Sequence, residues 1–175
     1  MDEVAEEAEL SKGTLYIYFK SKEDIHWAIT HRGVKNLLLN MEKIIDKEKN
    51  AIDNLLIIAD TFIKFTQSEK QLANSILFFE GCDIEKLNID QDQIRDEFLN
   101  DSPIHLVTEF VEEGIQQGII RNDIPVNQLS NILWAQLIGV LQIANRKKEL
   151  FDLVNIAREE LIENHFKIVL NGIKK

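Results

Sequence analysis

The sequence predicts an all-α protein, in which an N-terminal helix-turn-helix is joined by a long helix to a C-terminal helical bundle. Apolar residues recur every three or four positions along most of the chain, and no stretch sustains the period-two alternation of a strand. Glycine and proline are scarce, at 7 and 2 of 175 residues, so the punctuation of a many-turned β fold is missing. Pro103, Pro125 and Gly118 fall where helices should start or stop.

Taken in order, Asp2 to Ala8 reads as the end of a short helix with Val4, Ala5 and Ala8 on one apolar stripe. Glu9 and Leu10 form a turn. Ser11 is suited to cap a second short helix running to about Phe19, because its hydroxyl can accept from free first-turn N–H groups. Ser21-Lys22-Glu23-Asp24 has capping-box spacing, with Asp in place of the usual Glu, and starts a long helix reaching about Lys47. Further helices are expected over Ala51–Gln67, Lys70–Phe79, Gln91–Leu99, Pro103–Gln117, Val126–Lys148 and Leu153–Gly172. Pro103 and Pro125 stand at helix starts, where a missing N–H costs little, and Gly118 stands at a helix end. Gly81 to Asp92 reads as an acidic loop.

Composition narrows the function classes. Hydrophobic residues make up 45%, which is globular. The single cysteine, Cys82, excludes an internal disulfide framework and a cysteine-cluster zinc site. The N-terminus is acidic rather than basic and then apolar, so no signal peptide is read. The longest apolar run, Ile132 to Ala144, is too short to span a bilayer and carries Gln136 and Gln142. A cytoplasmic protein without membrane contact is expected. The net charge of −10 opposes nucleic-acid binding, yet it is unevenly spread. Lys12, Lys20 and Lys22 have no acid among them before Glu23, while Asp83–Asp101 and Glu109–Glu113 carry much of the negative charge.

The segment from Val4 to Asp24 carries the most specific signal. Two short helices joined tightly need a small residue at their crossing, here Ala5, with Leu10 and Leu15 expected to fill the space between them. Lys12, Gly13, Thr14, Tyr16, Ile17 and Tyr18 would then lie on the outer sides of the second helix. Those side chains suit a DNA major groove: hydroxyls for phosphates or base edges, and Ile17 for a thymine methyl. Lys22, at the next helix start, can hold a phosphate together with backbone N–H groups.

Ser11-Lys12-Gly13-Thr14-Leu15-Tyr16-Ile17-Tyr18-Phe19-Lys20-Ser21-Lys22-Glu23-Asp24 closely resembles the helix-turn-helix of the tetracycline-repressor (TetR) family. Glu113 to Pro125 resembles that family's turn before its penultimate long helix. The resemblance implies that residues 1–47 form a DNA-binding domain with its connecting helix, and residues 48–175 a ligand-binding and dimerisation domain. It implies that Lys12, Gly13, Thr14, Tyr16 and Ile17 face bases and nearby backbone, that Tyr18 and Lys22 hold phosphates, and that Ser11 caps the helix. Two departures stand out. Glu9 takes a turn position usually held by glycine, where a left-handed backbone costs roughly 1 kcal/mol. The family also has a helix before this motif, so the reading expects a domain lacking its first helix, with Val4, Ala8, Leu15 and Phe19 exposed.

Phe62, Phe65, Phe78, Phe79, Phe98, Phe110 and Trp134 lie on the middle helices. The resemblance suggests a cavity among them for a small hydrophobic effector, with Phe62, Phe65, Phe78, Phe79, Phe110 and Trp134 as lining candidates. Plain core packing is the competing reading. Asn74, Cys82, Asn131 and Gln136 are polar groups that such a cavity could use. The last two helices look too apolar for a free surface, through Leu133, Leu137, Val140, Leu141 and Ala144, and through Ile156, Ala157, Leu161, Phe166, Val169 and Leu170. The resemblance pairs them with their copies across a two-fold axis, which would set two recognition helices ~34 Å apart on a palindromic double-stranded operator.

The function expected is a ligand-released transcriptional repressor. The alternative is a helical ligand- or partner-binding dimer that does not bind DNA. An enzyme is disfavoured, because no nucleophile–base pairing, phosphate loop or metal-ligand spacing is present. His26 and His31, five apart, do not share a helix face as a metal pair would. No cofactor or metal is expected.

Overall fold

The computed structural model describes residues 1–79 and 90–175, and Cys82 lies outside them. The described chain is helical, in the order α1 (Asp2–Glu7), α2 (Lys12–Tyr18), α3 (Lys22–Glu42), α4 (Ala51–Ser68), α5 (Lys70–Phe79), α6 (Gln91–Asn100), α7 (Pro103–Gln116), α8 (Val126–Arg146), α9 (Lys148–Leu153) and α10 (Arg158–Ile173). Among the described residues the one β feature is an isolated antiparallel bridge between Ile120 and Lys174. It ties the end of the chain to the turn after α7, and the Arg121 guanidinium reinforces it by donating to Gly172 O at 3.0 Å.

The core forms where α4 packs on α7 and α7 on α8, with α3 and α5 laid alongside. Leu37, Met41, Ile58, Phe62, Val111, Ile120 and Leu141 are fully buried. Each such side chain contributes about 1.5–3 kcal/mol by leaving water. Two glycines permit close approach. A Cβ on Gly33 would lie 3.3 Å from Leu72 Cβ, so α3 lies tightly on α5. A Cβ on Gly114 would lie 2.7 Å from Ile120 Cγ1, inside the α7 turn. That turn closes through Gly118, whose φ of +73° is the left-handed conformation that glycine takes without strain.

Several helix limits differ from the sequence reading. The helix that starts at Ser21 was expected to reach Lys47, but α3 ends at Glu42, one residue after the buried Met41. Asn54, 1% exposed on α4, decides this. Asp46 N–H donates to its Oδ1 at 3.1 Å, and its Nδ2 donates to Asp46 O at 2.9 Å. These bonds bend the connector back to α4, although Ile44 and Ile45 continue the apolar period. At the far end, the expected single helix over Leu153–Gly172 is broken. Leu153 closes α9, Asn155 takes a left-handed φ of 56°, and α10 starts at Arg158.

Candidate functional site

The first three helices build a projecting head. α1 and α2 meet through Ala5 and Leu15, each 4% exposed. Glu9 between them adopts φ +54°, the left-handed turn expected at this position. Leu10 then donates its N–H to Ala5 O at 2.8 Å. This geometry turns the Leu10 side chain outward, so Leu10 is 43% exposed and does not fill the space between the helices. Leu15 fills it, as its packing role predicts, and is not left exposed as the reading of a missing first helix implied. Val4 and Ala8 are exposed and Phe19 is half-buried.

Both caps form as the sequence indicates. Ser11 Oγ accepts from Thr14 N–H at 3.0 Å and also pairs with the Thr14 hydroxyl at 2.7 Å. Ser21 Oγ accepts from Asp24 N–H at 3.0 Å, and Asp24 Oδ2 accepts from the N–H groups of Ser21 and Lys20 at 3.1 and 2.8 Å. The Asp24 carboxylate therefore already occupies part of the α3 N-terminus, leaving the exposed Lys22 as the external cation there. Lys20 turns back and donates to Tyr16 O at 3.0 Å.

The outer face of α2 is bare. Ile17 is 70% exposed and Tyr18 73%, with Tyr16 at its edge. Among the described residues Gly13 meets only Ser11 Oγ, at 3.8 Å from a Cβ built on it, so none of them requires glycine there. Glycine within a helix costs about 1 kcal/mol, which makes close approach by something outside the chain the natural reason for it. The remaining candidate, Lys12, is engaged: its Nζ lies 2.7 Å from Asp2 Oδ1.

α3 carries this head onto the body. Thr30, 2% exposed, donates to Ser75 O of α5 at 3.2 Å. His31 stacks on Trp27 and lies 3.3 Å from Glu97 of α6. Helices α3 and α6 thus meet at this histidine.

Among the described side chains, the aromatic candidates of the middle helices do not converge on one cavity. Phe62 and Phe65 are core side chains, and the Phe62 ring packs on Trp134 with centroids 5.0 Å apart. Phe110 borders an open hollow of about 570 Å³ beside Glu42, Asn54 and Glu109. Phe78 and Phe79 close α5, and their side chains, like that of Phe98, lie outside those described. Trp134 alone reaches an apolar crevice of about 60 Å³ between α4, α7, α8 and α10, with Ile52, Leu55, Leu56, His165 and Phe166. His165 is its one titratable group, and burial holds this imidazole below its ordinary value. The α10 half of this lining was not offered as a pocket by the sequence reading, although the 166, 169, 170, 173 spacing carries it. Asn74, Asn131 and Gln136 are exposed and do not line the crevice. Among the described residues no group of three or more His, Cys, Asp or Glu could hold a metal ion.

The apolar surface of the last helices also differs from the expected one. Leu137, Leu141 and Ala144 are buried in the chain's own core, and Phe166, Val169 and Leu170 line the crevice. Ile156 and Ala157 precede α10 rather than belonging to it. The period of α8 directs 134, 137, 138 and 141 inward, which leaves Ile132, Ala135, Gly139 and Ile143 facing out. Ile168 of α10, 73% exposed, also faces outward. Among the described residues no helix is long and apolar enough to cross a membrane.

Comparison with known proteins gives this geometry its setting. Residues 1–29 match the model of the bacterial regulatory proteins of the tetR family. The fatty acid metabolism regulator protein of Bacillus subtilis is 21% identical over 173 residues, covering 99% of this chain and 84% of that protein. A crystal structure of a tetR-family transcription regulator from Shewanella superposes with a TM-score of 0.70 at 14% identity, over 98% of this chain and 85% of the other. The SmeT–triclosan complex superposes with a TM-score of 0.63 at 18% identity, over 99% of this chain and 81% of the other. The head with its capped α2 is therefore similar to the N-terminal region of the tetR-family regulators, and the whole chain shares the all-helical fold of these structures.

Proposed function

We propose that the protein is a cytoplasmic, ligand-responsive repressor that binds a palindromic operator as a homodimer and is released by a small hydrophobic effector. Residues 1–47 serve as the DNA-reading head with its connecting helix, and residues 48–175 as the sensing and dimerising body. The observation that carries the reading is the outer face of α2. A Ser11-capped helix presents Ile17 and Tyr18 to solvent, beside a Gly13 that no internal contact explains. In this reading Lys12, Gly13, Thr14, Tyr16 and Ile17 meet base edges and adjacent backbone, and Tyr18 and Lys22 hold phosphates.

The apolar crevice at Trp134, backed by Phe62, supports an apolar effector. So do the names of two relatives, one a fatty acid metabolism regulator and one crystallised with triclosan. The effector would act by binding the released arrangement of α3 more tightly than the operator-bound one. The outward stripe Ile132, Ala135, Gly139 and Ile143 on α8, with Ile168 on α10, supports pairing with a second copy.

The test is binding to DNA from just upstream of the protein's own gene, across a salt series, with and without a long-chain fatty acid. Selective binding that weakens steeply with salt, and is lost on adding the fatty acid, is the expected result. Absence of selective binding to that DNA or to any other genomic fragment favours the second reading, a ligand- or partner-binding dimer without DNA activity. The acidity of α1 is the feature that speaks for this alternative.

A further inference from the structure

Helix α2 carries one cation, Lys12, at its first position. A lysine in the first helical turn has the wrong sign for the helix dipole. Asp2, at the start of α1, supplies the compensating charge at 2.7 Å, with both side chains largely exposed. The pairing holds the Asp2 carboxyl below the ordinary carboxylate value and the Lys12 amine above its own. Both groups therefore stay charged throughout the neutral range. The rest of α1 and its turn is acidic as well, through Glu3, Glu6, Glu7 and Glu9, all exposed. Residues 1–24 hold seven acids against the three lysines Lys12, Lys20 and Lys22.

Phosphates line every duplex, whereas base edges in the right register occur only at a cognate site. A head lying loosely on arbitrary DNA offers Lys12 a phosphate in exchange for Asp2. That exchange of one anion for another gains little and leaves Asp2 facing the phosphates unpaired. Where Thr14, Tyr16 and Ile17 are seated in the groove, the same exchange accompanies base contacts that outweigh it. We propose that Asp2 is a specificity-determining residue: by occupying Lys12 it restrains sequence-independent phosphate binding, so that Lys12 turns to DNA only when the rest of α2 is seated. The proposal rests on the DNA-reading function above.

The experiment compares the full chain with Asp2→Asn, Asp2→Glu, Lys12→Ala and the Asp2→Asn/Lys12→Ala double variant. Each is titrated with a random-sequence duplex and with the fragment from upstream of the gene, across a salt series. Asp2→Asn should tighten random-duplex binding by about threefold to tenfold and steepen the salt slope by about 0.9, the value for one added phosphate contact. The gain on a selected fragment should be smaller, and Asp2→Glu should behave as the parent. In the Lys12→Ala background the Asp2→Asn gain should shrink. An equal gain with or without Lys12 would mean a general charge effect and overturns the proposal. So does weakening on both duplexes together with a lowered thermal midpoint, which marks a mere strut between α1 and α2. A Lys12-dependent gain on random duplex, with no fragment selected by any form, sinks the repressor reading and leaves the restraint standing. Selective binding that Asp2→Asn leaves unchanged does the reverse.

Discussion

His165 is a single residue whose environment carries a measurable consequence. Its position on α10 places the imidazole against the apolar crevice, beside Phe166 with ring centroids 5.5 Å apart. Burial disfavours the charged ring, so the folded chain takes up the proton at lower pH than the unfolded chain does. Its contribution to stability is therefore intact above the ordinary imidazole value of 6.5. It is lost as pH falls from there toward the lowered value, where only the unfolded chain is protonated. Thermal midpoints measured from about pH 7.5 down to about pH 5 should fall more steeply for the parent than for His165→Phe. Parallel curves would show that His165 is solvated and that the crevice is open to water at that end.

Among the elements, the α3–α4 connector shows how a side chain can override a helical pattern. Ile44 and Ile45 would extend α3, but Asn54 takes both the N–H and the carbonyl of Asp46. A buried amide that satisfies a turn in this way is costly to remove, since its partners stay behind without bonds. Asn54→Ala should lower stability by about 1–3 kcal/mol in urea unfolding. The second effect belongs to function. The connector fixes where α3 leaves the body, so the variant should also weaken operator binding at temperatures where it remains folded. Stability within a few tenths of a kcal/mol of the parent would mean that water replaces the amide and that the bend has another cause. The capped start of α3 is the opposite case, because local sequence alone produced the Ser21–Asp24 box.

At the scale of the molecule, the proposed operator-reading dimer needs two heads at a fixed spacing, and the α8–α10 face is the surface proposed to set it. Gly139 is central to this face, with no described residue within 4 Å of a Cβ built on it. A large charged side chain there should cost the single chain little and a two-fold pair a great deal. Gly139→Glu is expected to sediment as a monomer at concentrations where the parent is a dimer, with an unchanged circular dichroism spectrum. Its operator affinity should fall by at least about tenfold, since the second head is no longer delivered with the first. A Gly139→Glu protein that remains dimeric would move the interface elsewhere, and the exposed Leu150, Leu153 and Val154 around α9 would be the next surface to probe.

What the sequence determined by itself is what short-range chemistry decides. Ser11 and Ser21 cap the helices that follow them, and Glu9 and Gly118 take left-handed turns. The helical period excluded strands, and the Ser11–Asp24 motif pointed to the family. Each of these depends on contacts within a few positions along the chain. What only the tertiary structure decided depends on which neighbour another element brings into contact. Asn54 ends α3 through a bond to Asp46, and Lys12 finds Asp2 across the turn. Among the described side chains, the aromatic residues offered as one pocket divide between core, hollow and crevice, because their helices turn different parts of their apolar stripes into the packing. Leu137 and Leu141 face inward and Ile132 and Ile143 outward for the same reason. A helical period shows that one face is apolar, but the direction of that face is set by the packing of the other helices around it.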